Sequence, residues 1–384
     1  MIIGLDAIPL TETKTGVGHY TFELARALAA ASPADEFELI YPSRYAPIEL
    51  RADDGAALPK SLRATRVEVG AAGRHWWSIG LPHHLRRGRV RLFHGTNYDV
   101  PLWGGRPSVL TVHDLSPFVR PETMLARGAR RLRRRLPLMA RRAAHVITPT
   151  EFVRREACEL LKLPPSKVTA VPEAPRAIFR PLDPAGSRAP LSRLGVNNDF
   201  VLAVGTIEPR KNLATLVRAF GLIAKDAAAP ADLSLVLAGR AGWLHEDFLK
   251  KVASSALRQR ILFTGYVTDE ELRALYSSCR AFVYPSLYEG FGLPPLEAMA
   301  CGAPVVASRV GAHLEVLGEE SALLFPPEDA NSLADALGRL LTDEGARRRL
   351  SARGRERAAQ FTWERTARET LSVYEETLKR AAGS

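Results

Sequence analysis

At 384 residues and 42.1 kDa the chain is longer than one ordinary α/β core accommodates, so two domains of similar size are expected; 46% hydrophobic and 25% charged residues are typical of a soluble globular protein. No apolar run approaches the roughly 20 residues of a membrane-spanning helix. The formal net charge of +11 is uneven: residues 1–185 hold 28 Lys and Arg against 18 Asp and Glu, whereas residues 186–384 hold 25 against 24. Such asymmetry points to a polyanionic partner met by the first half: a membrane surface, a diphosphate-bearing acceptor or a nucleic acid.

The amino terminus, MIIGLDAIPL, carries Asp6 inside its apolar run and has no basic leader, so it reads as a strand and export is not expected. Further short apolar runs follow in EFELIY, TRVEV, RLFHGT, PSVLTVH, AAHVITP and KVTAV, alternating with helical patterns. That alternation predicts a doubly wound parallel sheet over residues 1–181. Residues 182–198 are rich in Pro, Gly, Ser and Asn, which predicts a linker. A second series, FVLAVGT, LSLVLAG, ILFTG, AFVYPS, PVVAS and ALLF, predicts a second Rossmann-like domain over 199–362, the two facing across a cleft. From residue 363 to 384 the pattern is helical. Cys158, Cys279 and Cys301 lack metal-ligand spacing and fit a reducing cytoplasm.

Ligands of such sheets bind outside the carboxyl ends of the strands. Four loops fall there in the second domain: GTIEPRKN, AGRAG, GYVTDEE and LYEGFGL. They bring Arg210 and Lys211 as cations, Glu289 and Glu297 as carboxylates, and glycine amides at a helix start. Cations with amides suit a diphosphate, and carboxylates suit sugar hydroxyls. A nucleotide sugar has both.

The set GTIEPRKNL, TGYV and EGFGLPPLEAMACGAPVVAS, with the early TKTGVGHY, resembles the retaining glycosyltransferases of family 4, bacterial mannosyltransferases of surface-polysaccharide synthesis among them. The resemblance covers almost the whole chain and implies the GT-B fold, two Rossmann-like domains with the terminal helix packing back on the first. It implies that Arg210 and Lys211 neutralise the departing diphosphate, that Glu297 holds the ribose and Glu289 the transferred sugar, and that Phe291, Gly292 and Leu293 offer amides to that sugar or its phosphate. Val267 would meet the base, Gly16, Val17 and Gly18 would close over the phosphates, and His113 would approach the reacting sugar. The implied activity is retaining transfer of a hexose, with mannose from GDP-mannose the suggested case, to a glycan or lipid-linked acceptor. No Asp-x-Asp pair occurs in the chain, so neither a metal nor another cofactor is expected.

Plainer readings stay open beside these. Glu297 is also a first-turn acid favoured by the helix dipole, Glu289 a solvated loop acid, Arg210 and Lys211 surface charges, and His113 a core histidine beside Asp114. Gly16 and Gly18 suit a simple turn, and Thr268 with Glu271 predicts a capping box that accounts for Asp269 without a base contact. In the first half, Arg127, Arg130, Arg131 and Arg134 recur at helical spacing, with Leu125, Leu132, Leu136 and Met139 on another face and Pro137 interrupting. Trp76 and Trp77 precede Arg86 and Arg87. Aromatics beside cations suit an anionic membrane surface or a lipid-diphosphate acceptor, so the enzyme is expected to be cytoplasmic and peripheral on the inner face of the membrane; the plainer reading is that the tryptophans are core and the arginines solubilise. A nucleotide-sugar epimerase of the same fold, a nucleotide-sugar sensor and a basic nucleic-acid binder are the competing readings; no recognisable nucleic-acid module supports the last.

Overall fold

Short, nearly continuous apolar runs are what parallel strands covered on both faces require. In a computed structural model of the chain, which describes residues 1–12, 14, 16–52, 55–70, 75–226 and 230–383, each run read as a strand is one. Thr13 and Thr15 of the TKTGVGHY stretch lie outside the described residues.

The chain divides into two units: Met1–Phe118, Arg130–Ala174 and Phe361–Ser384 form the first, and Val119–Ala129 with Pro175–Gln360 the second. The first holds β1 (Ile2–Asp6), β2 (Glu36–Pro42), β3 (Leu62–Val67), β4 (Val90–Gly95), β5 (Ser108–Thr111), β6 (His145–Thr148) and β7 (Val168–Ala170). They pair in the order β3-β2-β1-β4-β5-β6-β7, every pair parallel. Neighbouring residues enter different cores: Leu39 and Val109 join one apolar cluster, while Ile40 joins a second and Leu110 a third. A sheet covered on both faces requires this.

The terminal helix Trp363–Ala382 lies in the first unit and packs on the helix Gly16–Ala31. Trp363, Val373 and Tyr374 enter the cluster containing Leu5 and Phe22. The Tyr374 hydroxyl lies 2.7 Å from His94 Nδ1, and Thr366 donates to the Pro172 carbonyl at 2.7 Å. Burial pushes His94 down to about 3, so the ring stays neutral and one of its nitrogens must accept.

The second unit holds β8 (Phe200–Val204), β9 (Ser234–Ala238), β10 (Ile261–Gly265), β11 (Ala281–Tyr284), β12 (Val305–Ser308) and β13 (Leu323–Phe325), ordered β10-β9-β8-β11-β12-β13 and again parallel. The expected linker 182–198 is instead occupied by the helix Pro184–Arg193, which packs on the helix Asp269–Ser278 within this unit. Asp183 caps it by accepting from the Gly186 amide at 2.6 Å, and Pro184 opens its first turn. Proline and glycine there belong to a helix start, not to a flexible connection. The passage between units falls earlier, at Ala174 and Pro175.

At the carboxyl edge of the second sheet, Gly205, Gly239 and Gly265 lace three loops together. The Gly205 amide donates to Ala238, and the Gly239 amide to Gly265. Gly239 has φ +147, and a Cβ built there would meet the Gly205 carbonyl oxygen at 2.0 Å. Gly239→Ala should therefore destabilise the fold by about 1–3 kcal/mol through backbone overpacking. Chemical denaturation checks this, and a midpoint equal to the parent's would contradict it.

Candidate active site

Beyond β8 the chain makes a 3-10 turn, Pro209–Lys211, closed by Asn212 in the left-handed region at φ 52. Asparagine tolerates that conformation better than most residues because its short polar side chain bonds locally. Here the Asn212 amide nitrogen donates to the carbonyls of Pro285 and Pro327 at 3.1 and 2.6 Å. The Arg210 carbonyl accepts from Leu287 at 2.8 Å. These bonds fix the cation-bearing turn against the loop that follows β11.

In that arrangement Lys211 Nζ donates to Glu289 Oε1 at 2.6 Å and to the Tyr284 hydroxyl at 2.5 Å. Arg210 reaches the same Glu289 oxygen at 2.9 Å and Glu208 at 2.7 Å. It also donates to the Tyr288 carbonyl at 3.1 Å. Glu208, Lys211 and Glu289 are buried. Burial pushes the Glu289 carboxyl up, but the Arg210 and Lys211 cations together outweigh it and hold the group well below the usual carboxylate range. Glu289 is thus ionised and clamps two cations side by side.

Glu297 has its own cation. Arg176 Nε donates to Glu297 Oε1 at 3.2 Å, and its Nη1 donates to Asp269 at 2.8 Å. Arg176 is only 5% exposed and lies over the Phe179 ring at 4.6 Å. The capping box of Thr268 and Glu271 is present, and the adjacent Asp269 carboxylate is spent on Arg176.

Phe291 is buried, and Gly292 caps the helix Leu293–Ala300 in the left-handed region at φ 103. The amides of Phe291, Gly292 and Leu293 come just before Pro294 and Pro295, which carry no N–H. Leu293 alone supplies one among the first three residues of the helix. Val267 is buried just beyond β10.

Sequence reasoning missed Arg176, Glu208, Asn212, Tyr284 and His313. The His313 ring is fully buried; its Nδ1 donates to the Ser308 carbonyl at 2.8 Å, and its Nε2 has no hydrogen-bond partner among the described residues. A Cβ on Gly292 would come within 3.5 Å of that Nε2. Only the P-R-K-N run carried a local signal, in the asparagine after two cations. Glu208 meets Arg210 two residues on, whereas Arg176 and Tyr284 meet Glu297 and Lys211 across 121 and 73 residues.

In the first unit, Gly16, Val17 and Gly18 form the first turn of the helix Gly16–Ala31. Gly18 has a packing role: a Cβ there would meet the Pro9 carbonyl at 2.9 Å. Gly16 meets no such restriction. Both ring nitrogens of His113 are engaged, Nε2 with the Thr96 carbonyl at 2.7 Å and Nδ1 with Glu173 at 3.3 Å.

The surface contact expected of Trp76 needs correction. Trp76 is 2% exposed and belongs to the cluster of Leu81, Leu85 and Phe93, and Trp77 lies partly buried with its ring edge-on to Phe93. The turn Trp76–Gly80 folds the first ring beneath the backbone, where Gly80 leaves room for it. Arg86, Arg87, Arg127, Arg130, Arg131 and Arg134 are exposed. Leu136 and Met139 are buried, whereas Leu125 precedes the helix Ala126–Arg142 and is exposed.

Comparison with known proteins bears on the family and the fold. Residues 192–357 match the family described as glycosyl transferases group 1, and residues 14–174 match glycosyltransferase family 4. The O-antigen chain mannosyltransferase B of Escherichia coli is 32% identical over 381 residues, covering 95% of this chain and 97% of that protein. Among solved structures, a sucrose-phosphate synthase from Thermosynechococcus elongatus is 27% identical with a TM-score of 0.75, covering 99% of this chain and 100% of that one. Anabaena HepE, solved with UDP and glucose, has a TM-score of 0.73 at 19% identity over 97% and 99% of the two chains, a likeness of fold. Two parallel-sheet units, the clustered cations at one sheet edge and a full-length relative together make this chain a family 4 glycosyltransferase of GT-B fold.

Proposed function

We propose that this glycosyltransferase is a retaining, metal-independent mannosyltransferase that uses GDP-mannose and extends a glycan or lipid-linked acceptor in surface-polysaccharide synthesis, on the inner face of the membrane. The observation that carries the reading is the Arg210 and Lys211 pair clamped by Glu289. The sugar and the setting follow the name of the full-length relative, an O-antigen chain mannosyltransferase.

In this reaction the bond between the anomeric carbon and the diphosphate oxygen breaks, a bond to an acceptor hydroxyl forms, and the hydroxyl proton passes to a departing phosphate oxygen. Charge accumulates on the diphosphate, where two fixed cations act without reorganising. Neither carboxylate suits acid–base work of the hydrolase kind, since Glu289 is held ionised and Glu297 is paired with Arg176. Arg210 and Lys211 take the place of a divalent ion, in keeping with the lack of an Asp-x-Asp pair. Arg176 acts as a positioning residue that orients Glu297 toward the ribose.

A thermal-shift series with GDP, UDP, ADP and dTDP sugars tests the donor: the matching one at a hundredfold excess over its Kd adds about 2.7 kcal/mol of apparent stability. Stabilisation by UDP sugars alone would overturn the GDP assignment, and donor turnover without acceptor would favour an epimerase. Arg210→Ala should lower kcat by about 10²–10³ while EDTA leaves the parent rate unchanged; loss of activity in EDTA would contradict metal independence.

Arg176→Met should raise the donor KM about tenfold or more with a smaller change in kcat, and Arg176→Lys should recover part of it, since charge-assisted bonds contribute about 1.5–3 kcal/mol. Equal losses in kcat and KM terms without rescue would indicate a merely structural role. The depressed Glu289 group sets an acid limit. Its contribution is complete above the ordinary glutamate pKa of about 4.3 and fades as pH falls toward the lower folded value. The difference in unfolding midpoint between the parent and Glu289→Gln should therefore stay constant from about pH 6 to 8 and shrink below about pH 4. A difference that already falls between pH 8 and 6 would refute the ionised clamp.

A further inference from the structure

The first unit exposes a large aromatic at Trp103, whereas Trp76 is buried and Trp77 partly buried. Trp103 is 58% exposed, Ile79 51% and Leu138 50%. Contacts place them together. The Leu102 amide donates to the Trp77 carbonyl at 2.9 Å, and Gly104 lies against Pro82, which brings the loop after residue 100 beside the segment containing Ile79. On the other side Arg142 donates to the Leu102 carbonyl and sits 5.6 Å from the centre of the Trp103 ring. Leu138 is one helical turn before Arg142, on the same face. Gly104 and Gly105, both at positive φ, make the turn that carries Trp103 outward.

The helix face is continuous. Arg131, Arg134, Leu138 and Arg141 follow at steps of three and four, and no acid occurs between Ala126 and Arg142. The opposite face supplies Leu136, Met139 and Ala140 to the core. No helix among the described residues is long and apolar enough to cross a membrane, and Arg131, Arg134, Leu138 and Arg141 are exposed.

From this juxtaposition we infer that the Trp103 loop, Ile79 and the Arg131–Arg142 face form a docking surface for an anionic lipid bilayer, with Trp103 entering the headgroup layer. The charge selects an anionic partner, and the apolar trio selects lipid over nucleic acid, since a duplex backbone rewards arginine but offers no layer for isoleucine, leucine and an indole. The surface deepens the membrane part of the proposed function and rests on it in that respect alone. It replaces the buried Trp76 as the contact.

Co-sedimentation of the full chain with sucrose-loaded vesicles tests it, using phosphatidylcholine alone and with 30 mol% phosphatidylglycerol. The parent should bind only the anionic vesicles, and brominated lipid should quench a component of tryptophan fluorescence that Trp103→Phe removes. Trp103→Ala should weaken vesicle partitioning by about tenfold, in line with the loss of one large buried apolar side chain. Arg131→Glu with Arg134→Glu should abolish binding at physiological salt, with circular dichroism confirming the fold. Turnover on a short soluble acceptor should be unchanged in both. Equal binding by the parent and Trp103→Ala, quenching that survives Trp103→Phe, or tight duplex DNA binding with none to vesicles would each overturn the inference. Absent turnover with vesicle binding intact would overturn the proposed reaction and still support the surface.

Discussion

The candidate site depends on the shared bond of one carboxylate oxygen to two cations. Glu289 accepts from Lys211 and Arg210 in surroundings that exclude most water, and the arrangement persists only because the three charges are together. Removing one partner from a buried ionic cluster costs about 3–5 kcal/mol, because the charges left behind lose their compensation. Two adjacent cations repel, so an anion between them is the condition for keeping both. Glu208 carries the second negative charge and brings the group close to neutrality. Both cations are held in a fixed orientation before any ligand enters, which is the form electrostatic preorganisation takes.

The backbone around this cluster is fitted to the same end. Asn212 in the left-handed region turns the chain sharply after the two cations and pins the turn to loops beyond β11 and β13. Gly205 and Gly239 let neighbouring loops touch backbone to backbone. Arg176 repeats the logic at Glu297, and through Asp269 it connects that carboxylate to the capped start of another helix. Each carboxylate is thereby held in place by fixed cations.

The first unit divides its aromatic and basic residues by environment. Two tryptophans meet opposite fates: Trp76 packs against Gly80 in the core, while Trp103 is exposed beside Arg142. The terminal helix closes one face of the sheet with Tyr374 and Thr366 satisfying buried polar groups, so the last residues of the chain complete the core of the first. His113 spends both nitrogens inside that unit.

By itself the sequence determined the strands, their division into two series and the loops at their carboxyl ends, because a buried parallel strand must be a short apolar run and its period is local. It also marked Arg210, Lys211, Glu289 and Glu297, since glycines and charges after such a run have few other reasons to occur. It did not reveal what those groups touch. The partners of Glu297 and Glu289 lie 121 and 78 residues away in the chain, and pairing across that distance is set by the register of a finished sheet. The same holds for the stretch 182–198, whose composition suits a linker or a capped helix equally until the helix Asp269–Ser278 offers a surface to cover. Burial of Trp76 and exposure of Trp103 were likewise decided by tertiary packing, because composition records an amphipathic side chain but not which of its two environments the fold provides.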